Sequence, residues 1–197
     1  MKFVRLSSMV GAWIAAVTLY SLATSALAQE APRVKFATSA GDFVVEVYPD
    51  KAPKTVENFL QYVKDKHYDG TIFHRVIDNF MVQGGGFDAK YKQKSTRAPI
   101  PLEASNGLKN NVGMIAMART SDPNSATSQF FINVKDNAML NAPSPDGHGY
   151  AVFGKVVSGA EVIQKIKSSA TGAAGPFASD VPKTTILINS ATLEKKS

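Results

Sequence analysis

Residues 73–86, FHRVIDNFMVQGGG, place Arg75 and Gln83 among phenylalanine, valine and methionine residues that are typical of buried strands. Burying a guanidinium or an amide costs several kcal/mol unless the group finds a hydrogen-bond partner. Core packing gives no reason for either residue. The pattern therefore predicts a polar pair that performs chemistry beside an apolar pocket.

The rest of the sequence lacks the motifs of most common catalytic sites. It contains no cysteine, and its three histidines, at positions 67, 74 and 148, form no H-x-x-x-H pair and accompany no acidic cluster. We therefore expect neither a metal site nor a cofactor. His74 has two interpretations, a general base or a strand residue that faces outward, and the second is favoured.

The triple glycine at 84–86 ends a predicted strand without opening a helix. A phosphate-binding loop would have to open a helix, and no nucleophile elbow or dinucleotide fingerprint occurs elsewhere. We interpret the glycines as a β-bulge or a close backbone approach.

Rotation about an X-Pro peptide bond needs only binding and polarisation, because no covalent bond is made or broken. Its barrier, about 18–20 kcal/mol, comes from amide resonance. In the twisted transition state the proline nitrogen becomes pyramidal and gains a lone pair, to which a cationic donor can hydrogen-bond. Arg75 on a rigid strand is suited to make that contact only in the transition state.

Four motifs in order support this interpretation: FHRVIDNFMVQGG, NGLKNNVGMIAMART, SATSQFFINV and GYAVFGKVV. Together they resemble the cyclophilin-type peptidyl-prolyl cis-trans isomerases, of the exported bacterial kind, over residues 33–195. The resemblance implies a mainly β fold, a closed eight-stranded antiparallel β-barrel capped by two α-helices. It also implies an isomerase that acts on unfolded or partly folded polypeptides that contain proline.

The resemblance places the site residues of the family on ten positions of this sequence. The catalytic arginine falls on Arg75, and the glutamine that gathers the carbonyl side of the substrate falls on Gln83. Ala118 and Arg119 stand where the family has an Ala-Asn pair that binds the peptide through its backbone. Phe131 is expected to form the floor of the proline pocket. The other substrate-binding residues are Phe80, Met81, Gln129, Leu140 and Tyr150.

Three positions depart from the eukaryotic members that bind cyclosporin tightly. Met139 replaces a tryptophan, Tyr150 a histidine and Arg119 an asparagine. Because the arginine and the pocket are intact, we expect catalysis with only weak cyclosporin binding. The segment 141–149, NAPSPDGHG, is also longer than the minimum in the family. The family's pattern therefore fixes the alignment of Leu140 and Tyr150, on either side of it, less closely than that of the other site residues.

The pattern of apolar residues predicts the same fold independently. Residues 33–49 are predicted as a hairpin, Pro53 to about Lys66 as an amphipathic helix, 88–111 as a polar loop and 160–167 as a second helix. Antiparallel strands with few covering helices favour a closed barrel, because closure removes exposed edges. The other predicted strands are 71–77, 80–85, 112–118, 129–134, 150–157 and 184–195.

The first 28 residues have the pattern of a signal peptide. Lys2 and Arg5 form a basic start, and residues 6–28 carry no charge and end in Ala-Leu-Ala, which fits cleavage after Ala28. The alternative is an uncleaved anchor, since this stretch is long enough to span a bilayer. We expect export to the periplasm, with 29–197 as one isomerase domain that is not attached to the membrane.

Charge argues against nucleic acid as a partner. Without the signal peptide, 20 Lys and Arg stand against 16 Asp and Glu, a net charge of +4. The basic segment 92–97 has no stacking aromatic residues in register, which is typical of a solvated loop.

We expect the protein to be a monomer.

Two other functions stay open. One is a chaperone or interaction module that holds proline-bearing loops on the same scaffold, and the other is an interaction protein that uses the basic segment 92–97. Arg75 favours the enzyme, because a binder gains nothing from a donor that acts only in the transition state.

Overall fold

Ten β-strands, two α-helices and one 3-10 helix make up residues 31–194, the part of the chain that the computed structural model describes. The expected signal peptide lies outside these residues. The helices are α1 (Pro53–Lys64) and α2 (Ala160–Lys167), and the 3-10 helix is Ala138–Leu140. The strands are β1 (Arg33–Thr38), β2 (Gly41–Val47), β3 (Thr71–Ile77), β4 (Met81–Asp88), β5 (Met114–Met117), β6 (Phe130–Asn133), β7 (Val152–Ser158), β8 (Thr171–Ala174), β9 (Phe177–Pro182) and β10 (Ile188–Leu193).

Eight of these strands form one antiparallel sheet in the order β10-β1-β2-β7-β5-β6-β4-β3. Its two ends meet at β3, where the Gly70 N–H donates to the Ile188 carbonyl at 2.8 Å and the Phe73 N–H donates to the Ile186 carbonyl at 3.0 Å. The sheet is therefore a nearly closed barrel. The predicted mainly β fold with eight barrel strands and two helices is confirmed.

The interior of the barrel is filled by aromatic and branched side chains. Phe36 and Phe43 of the first hairpin stack with their ring centroids 4.9 Å apart. Phe59 of α1 lies 5.0 Å from the Phe153 ring, and Ile166 of α2 belongs to the same buried cluster. Fully burying such a side chain contributes roughly 1.5–3 kcal/mol. Both helices are thus attached to the barrel through their apolar faces.

Alternation along the central strands sorts neighbouring side chains onto two buried faces. Phe130 and Ile132 of β6 belong to the interior cluster, whereas Phe131 between them belongs to a second cluster on the other face of the sheet. Ile115 and Ala116 of β5 divide in the same way. Because both faces are buried, these strands are continuous apolar runs in the sequence. The second cluster is the one that bears the site.

Most predicted boundaries differ from the structure by one to four residues, and one hairpin was not predicted. Helix α1 ends at Lys64 because Lys66 has a left-handed backbone, with a φ of 53°. The last strand begins at Ile188 and ends at Leu193, within the predicted range 184–195. The hairpin β8–β9 was not predicted. It forms a separate two-stranded sheet, and β9 lies against β3.

Candidate active site

A cleft of about 370 Å³ opens over the second apolar cluster, on the face of the sheet opposite the barrel interior. All ten residues that the sequence assigned to the site line this one cleft. The cleft is also lined by three residues that the sequence did not assign to the site, His74, Phe87 and Phe177. The ten assigned residues are Arg75, Phe80, Met81, Gln83, Ala118, Arg119, Gln129, Phe131, Leu140 and Tyr150.

The floor of the cleft is apolar and well packed. Met81, Phe131 and Leu140 are buried, with exposed fractions of 2%, 4% and 7%. The Phe131 ring stands nearly perpendicular to the Tyr150 ring, at 79° with 5.7 Å between centroids. The Tyr150 N–H donates to the Leu140 carbonyl at 3.0 Å, so the residues on either side of the long 141–149 segment are held together. The floor suits a small apolar ring such as that of proline.

A β-bulge turns Arg75 toward the cleft. Phe73 pairs with Gly84 and Arg75 pairs with Gln83, so β3 carries one extra residue, His74, opposite two consecutive residues of β4. Bulges bend a strand and redirect a side chain. Arg75 is exposed at the rim while Phe73 is buried in the core. The sequence argument that the guanidinium is buried was therefore wrong, since Arg75 keeps its contact with water.

The three polar residues at the rim form a chain of hydrogen bonds. Arg75 Nη1 donates to Gln83 Oε1 at 3.5 Å, and Gln83 Nε2 donates to Gln129 Oε1 at 2.9 Å. Gln83 is half-buried, so this chain fixes which end of its amide faces which neighbour. The amide oxygen of Gln83 is turned toward the guanidinium, and its nitrogen is turned away from it.

Glycine is required where β4 passes under this chain. A Cβ on Gly86 would lie 2.5 Å from Cγ of Gln129, and Gly85 has a positive φ of 84°. The pairing of β3 with β4 is irregular here, because the three residues from Thr71 to Phe73 lie opposite the five residues from Gly84 to Asp88. The interpretation of the triple glycine as a bulge with close backbone approach is confirmed.

His74 is buried beneath the hairpin β8–β9, whereas the favoured sequence interpretation was a strand residue that faces outward. It is 3% exposed and lies between the rings of Phe87 and Phe177, at centroid distances of 4.7 and 5.4 Å. Its pKa is lowered from 6.5 to about 4, chiefly by burial and to a smaller extent by the charge of Arg75, against a backbone hydrogen bond to Ile72 that raises it. The imidazole is therefore neutral near pH 7. The prediction failed because the bulge and the covering hairpin β8–β9 were not anticipated.

Three buried asparagines support the cleft from behind, and sequence analysis missed them. Asn137 Nδ2 donates to the Phe80 carbonyl at 2.8 Å and to Asn133 Oδ1 at 2.7 Å. Asn110 Nδ2 donates to the Leu140 carbonyl at 3.2 Å, and Asn133 Nδ2 donates to Asn110 Oδ1 at 3.2 Å. The network ties two walls of the cleft to strand β6. The signal available in the sequence was an asparagine inside the apolar run FFINV.

Within residues 31–194, no three His, Cys, Asp or Glu side chains converge as ligands for a metal ion. In the same range, neither helix has the length and apolar character needed to cross a membrane.

Comparison with known proteins identifies the class to which this fold and cleft belong. Residues 33–193 match the family described as cyclophilin type peptidyl-prolyl cis-trans isomerase/CLD. The chain is 57% identical to peptidyl-prolyl cis-trans isomerase cyp18 of Streptomyces antibioticus, over 81% of this chain and 97% of that protein. It is 54% identical to peptidyl-prolyl cis-trans isomerase B of Escherichia coli, over 82% of this chain and 99% of that protein.

A solved structure agrees with these sequence relatives. A cyclophilin type peptidyl-prolyl cis-trans isomerase of Cryptosporidium parvum superposes with a TM-score of 0.68 at 26% identity, covering 85% of this chain and 99% of that one. The chain therefore belongs to the cyclophilin-type peptidyl-prolyl cis-trans isomerases, enzymes that catalyse rotation about X-Pro bonds. The family and the class of enzyme predicted from the sequence are confirmed.

Proposed function

We propose that Arg75 accelerates rotation about an X-Pro bond by donating a hydrogen bond to the proline nitrogen in the twisted transition state. The observation that carries this proposal is the position of the guanidinium. It stands at the rim of an apolar floor formed by Met81, Phe131 and Leu140, beside the amide of Gln83. A proline ring seated on that floor brings its nitrogen to the rim, where the cation lies.

The energy of this contact accounts for part of the acceleration. A charge-assisted hydrogen bond contributes about 1.5–3 kcal/mol, which corresponds to roughly one to two powers of ten in rate. The contact forms only when the nitrogen has become pyramidal, so it lowers the barrier without tightening the ground state. The remaining acceleration comes from the apolar floor, which holds the ring and excludes water from the rotating amide.

Gln83 holds the carbonyl side of the substrate in this proposal. Its amide nitrogen has two hydrogens, and the one that does not go to Gln129 is free to meet a substrate carbonyl. The oxygen of the same amide accepts from Arg75, which keeps the guanidinium directed along the rim. Gln83 thus orients both the substrate and the cation.

The neutral state of His74 assists the same arrangement. His74 precedes Arg75 on β3, and its lowered pKa keeps a second cation away from Arg75 at neutral pH. Two adjacent cations would each favour contact with water over contact with a substrate. His74 therefore contributes an apolar, uncharged surface and takes no part in proton transfer.

An exchange measurement on a short X-Pro peptide tests the function. Nuclear magnetic resonance resolves the cis and trans forms of such a peptide and gives both the dissociation constant and the rate of interconversion. At catalytic amounts of protein, we expect the time for exchange between the cis and trans forms to fall from the usual tens to hundreds of seconds to well below one second. Binding with no change in the exchange rate would favour the chaperone or interaction module and overturn the proposal.

We also propose that the enzyme acts on exported polypeptides outside the cytoplasm, as a monomer. The support is the basic start, the uncharged run and the Ala-Leu-Ala sequence of the first 28 residues. In an oxidising compartment, a chain without cysteine avoids unwanted disulfides, which suits an enzyme that handles unfolded clients there. Its clients would be exported chains whose folding waits for X-Pro isomerisation.

A further inference from the structure

The wall of the cleft contains an arginine whose side chain is shielded from solvent. The side chain of Arg119 is only 2% exposed, although it lines the cleft. Its Cζ lies 4.4 Å from the centroid of the Tyr150 ring, which places the guanidinium over the face of that ring. A buried cation needs partners that replace its hydration.

Those partners come from the loop that follows the 3-10 helix. Arg119 Nη2 donates to both carboxylate oxygens of Asp146, at 2.8 and 2.7 Å. Nε and Nη2 also donate to the Gly149 carbonyl, at 3.0 and 2.9 Å, and Nη1 donates to the Thr120 carbonyl at 2.9 Å. The guanidinium is thus bonded to three residues, Asp146, Gly149 and Thr120, and stacked on a fourth, Tyr150.

Asp146 supplies the counter-charge in this arrangement. Its side chain is 37% exposed, so it belongs to the surface of the loop, while the arginine that it holds is buried. The bond from Arg119 holds the pKa of the Asp146 carboxyl below its usual range, and the His148 N–H, at 3.2 Å, adds a donor. The carboxylate is therefore charged wherever the enzyme works near neutral pH.

The ring on which Arg119 lies is itself a wall of the proline seat. Tyr150 packs at 79° against Phe131, the floor of the cleft, with 5.7 Å between ring centroids. Residues 141–149 connect Leu140 to Tyr150, the two residues that form this side of the cleft. The bonds from Arg119 to Asp146 and Gly149 close this segment onto the wall, so the loop and the wall are positioned together.

We propose that Asp146 is a positioning residue for substrate binding, which acts by holding the Arg119 guanidinium flat against Tyr150. This inference rests on the proposed function of the same cleft. Without the carboxylate, Arg119 loses its charged partner and is free to turn into the cleft that it lines. The Tyr150 wall then loses its backing, and a mobile cation enters the apolar seat. Proline binding weakens, while Arg75 on β3 keeps its role in the rotation.

Three substitutions of Asp146 and one control test the proposal. We expect Asp146→Ala to raise the Kd for a short X-Pro peptide about 5- to 30-fold, with the exchange rate at saturation within about twofold of wild type. Asp146→Asn, which keeps an acceptor without the charge, should fall between Ala and wild type. Asp146→Glu should restore most of the affinity. Asp50→Asn removes an exposed carboxylate that pairs with Lys51, its neighbour in the chain, and it should leave both values unchanged.

The outcomes separate the positioning role from general damage and from the proposed function. An unchanged Kd in Asp146→Ala would overturn the inference, and so would parallel losses of affinity, saturated rate and Tm that Asp146→Glu fails to restore. If wild type binds the peptide without accelerating exchange, the proposed function fails. The Kd series still decides whether Asp146 positions the wall, because Kd is measured independently of turnover.

Discussion

Arg75 and Gln83 stand directly opposite each other across strands β3 and β4, and their side chains meet with 3.5 Å between Nη1 and Oε1. The pairing depends on the bulge at His74, which shifts the register by one residue just before it. A shift of one residue sends a side chain to the other face of a sheet. The two polar groups therefore meet at the rim of the cleft because the bulge sets this register between β3 and β4.

Removing the Arg75 guanidinium should lower activity without unfolding the protein. We expect Arg75→Ala to reduce kcat/KM for a short X-Pro peptide by about 10- to 100-fold, because one charge-assisted hydrogen bond is lost in the transition state. The Tm should stay close to wild type, since the side chain is exposed. Arg97→Ala is the matched control, an exposed arginine that pairs with Asp65 away from the cleft. Wild-type turnover in a folded Arg75→Ala protein would contradict the role of the cation.

Adding one methyl group at Gly86 should disturb the polar chain from beneath. Its Cβ would lie 2.5 Å from Cγ of Gln129, which must move and release Gln83. We expect Gly86→Ala to lower kcat/KM roughly fivefold, the equivalent of one hydrogen bond. At Gly172 a Cβ meets only Cε of Lys183, at 3.5 Å, so Gly172→Ala should have no effect on kcat/KM. Equal effects of the two substitutions would show that Gln129 does not transmit the change.

The buried His74 should make the fold sensitive to mild acid. Its pKa is 6.5 when unfolded and about 4 in the folded protein, so the unfolded state takes up the proton first as the pH falls. Stability is then complete above about pH 6.5 and decreases toward pH 4, by up to about 3 kcal/mol. Urea unfolding at a series of pH values measures this slope.

His74→Leu should flatten most of that slope between pH 6.5 and 4. A smaller slope should remain from His67, whose pKa is also lowered by burial. If His74→Leu leaves the slope of wild type unchanged, the imidazole is not buried in the neutral form in solution.

Sensitivity to cyclosporin should depend on Met139, which is 55% exposed beside the cleft residue Leu140. Methionine has apolar bulk but lacks an indole N–H, and its flexible torsions must be ordered on binding. Losing one hydrogen bond to a ligand typically costs about 1–3 kcal/mol, or roughly 5- to 150-fold in affinity. We expect weak inhibition of wild type, which Met139→Trp strengthens more than it changes kcat/KM. Titration of both proteins checks this, and nanomolar inhibition of wild type would contradict it.

The exported protein should begin at Gln29. Signal peptidase cleaves after the Ala-Leu-Ala sequence at 26–28 if the first segment is a signal peptide. Mass spectrometry of the periplasmic fraction measures the mass of the mature chain. Recovery of full-length chain in the membrane alone would favour an uncleaved anchor.

The elements that the sequence predicted well are those with strong local patterns. The run QFFINV is apolar on both faces of its strand and yields β6, while Pro53 and the spacing of Val56 and Phe59 yield α1. The hairpin β8–β9 escaped prediction because TGAAGPFASDVP contains one large apolar side chain, Phe177. Its partner His74 is on β3, too far along the chain for any local pattern to connect them.

Which residues line the cleft was easier to predict than how their side chains are arranged in it. The ten residues were found through motifs, but the exposure of Arg75 depends on a bulge that apolar periodicity does not show. The burial of Arg119 depends on Asp146, which lies 27 residues away in a loop without regular structure. A sequence can indicate that a cation is present at such a position. It does not indicate whether the cation faces substrate or is held by a distant carboxylate.

The division of β6 between two faces has a consequence for how such an enzyme can change. Phe130 fills the barrel interior, and Phe131, the next residue, forms the floor of the cleft. Two identical residues that are neighbours in the sequence thus belong to different parts of the molecule, so a substitution at one position affects the barrel interior and at the other the cleft. Residues two apart on β5, β6 and β4 can be varied to remodel the substrate seat while every intervening residue preserves the scaffold. Divergence of specificity within this architecture needs no loop insertion, only alternate positions along strands that are already present.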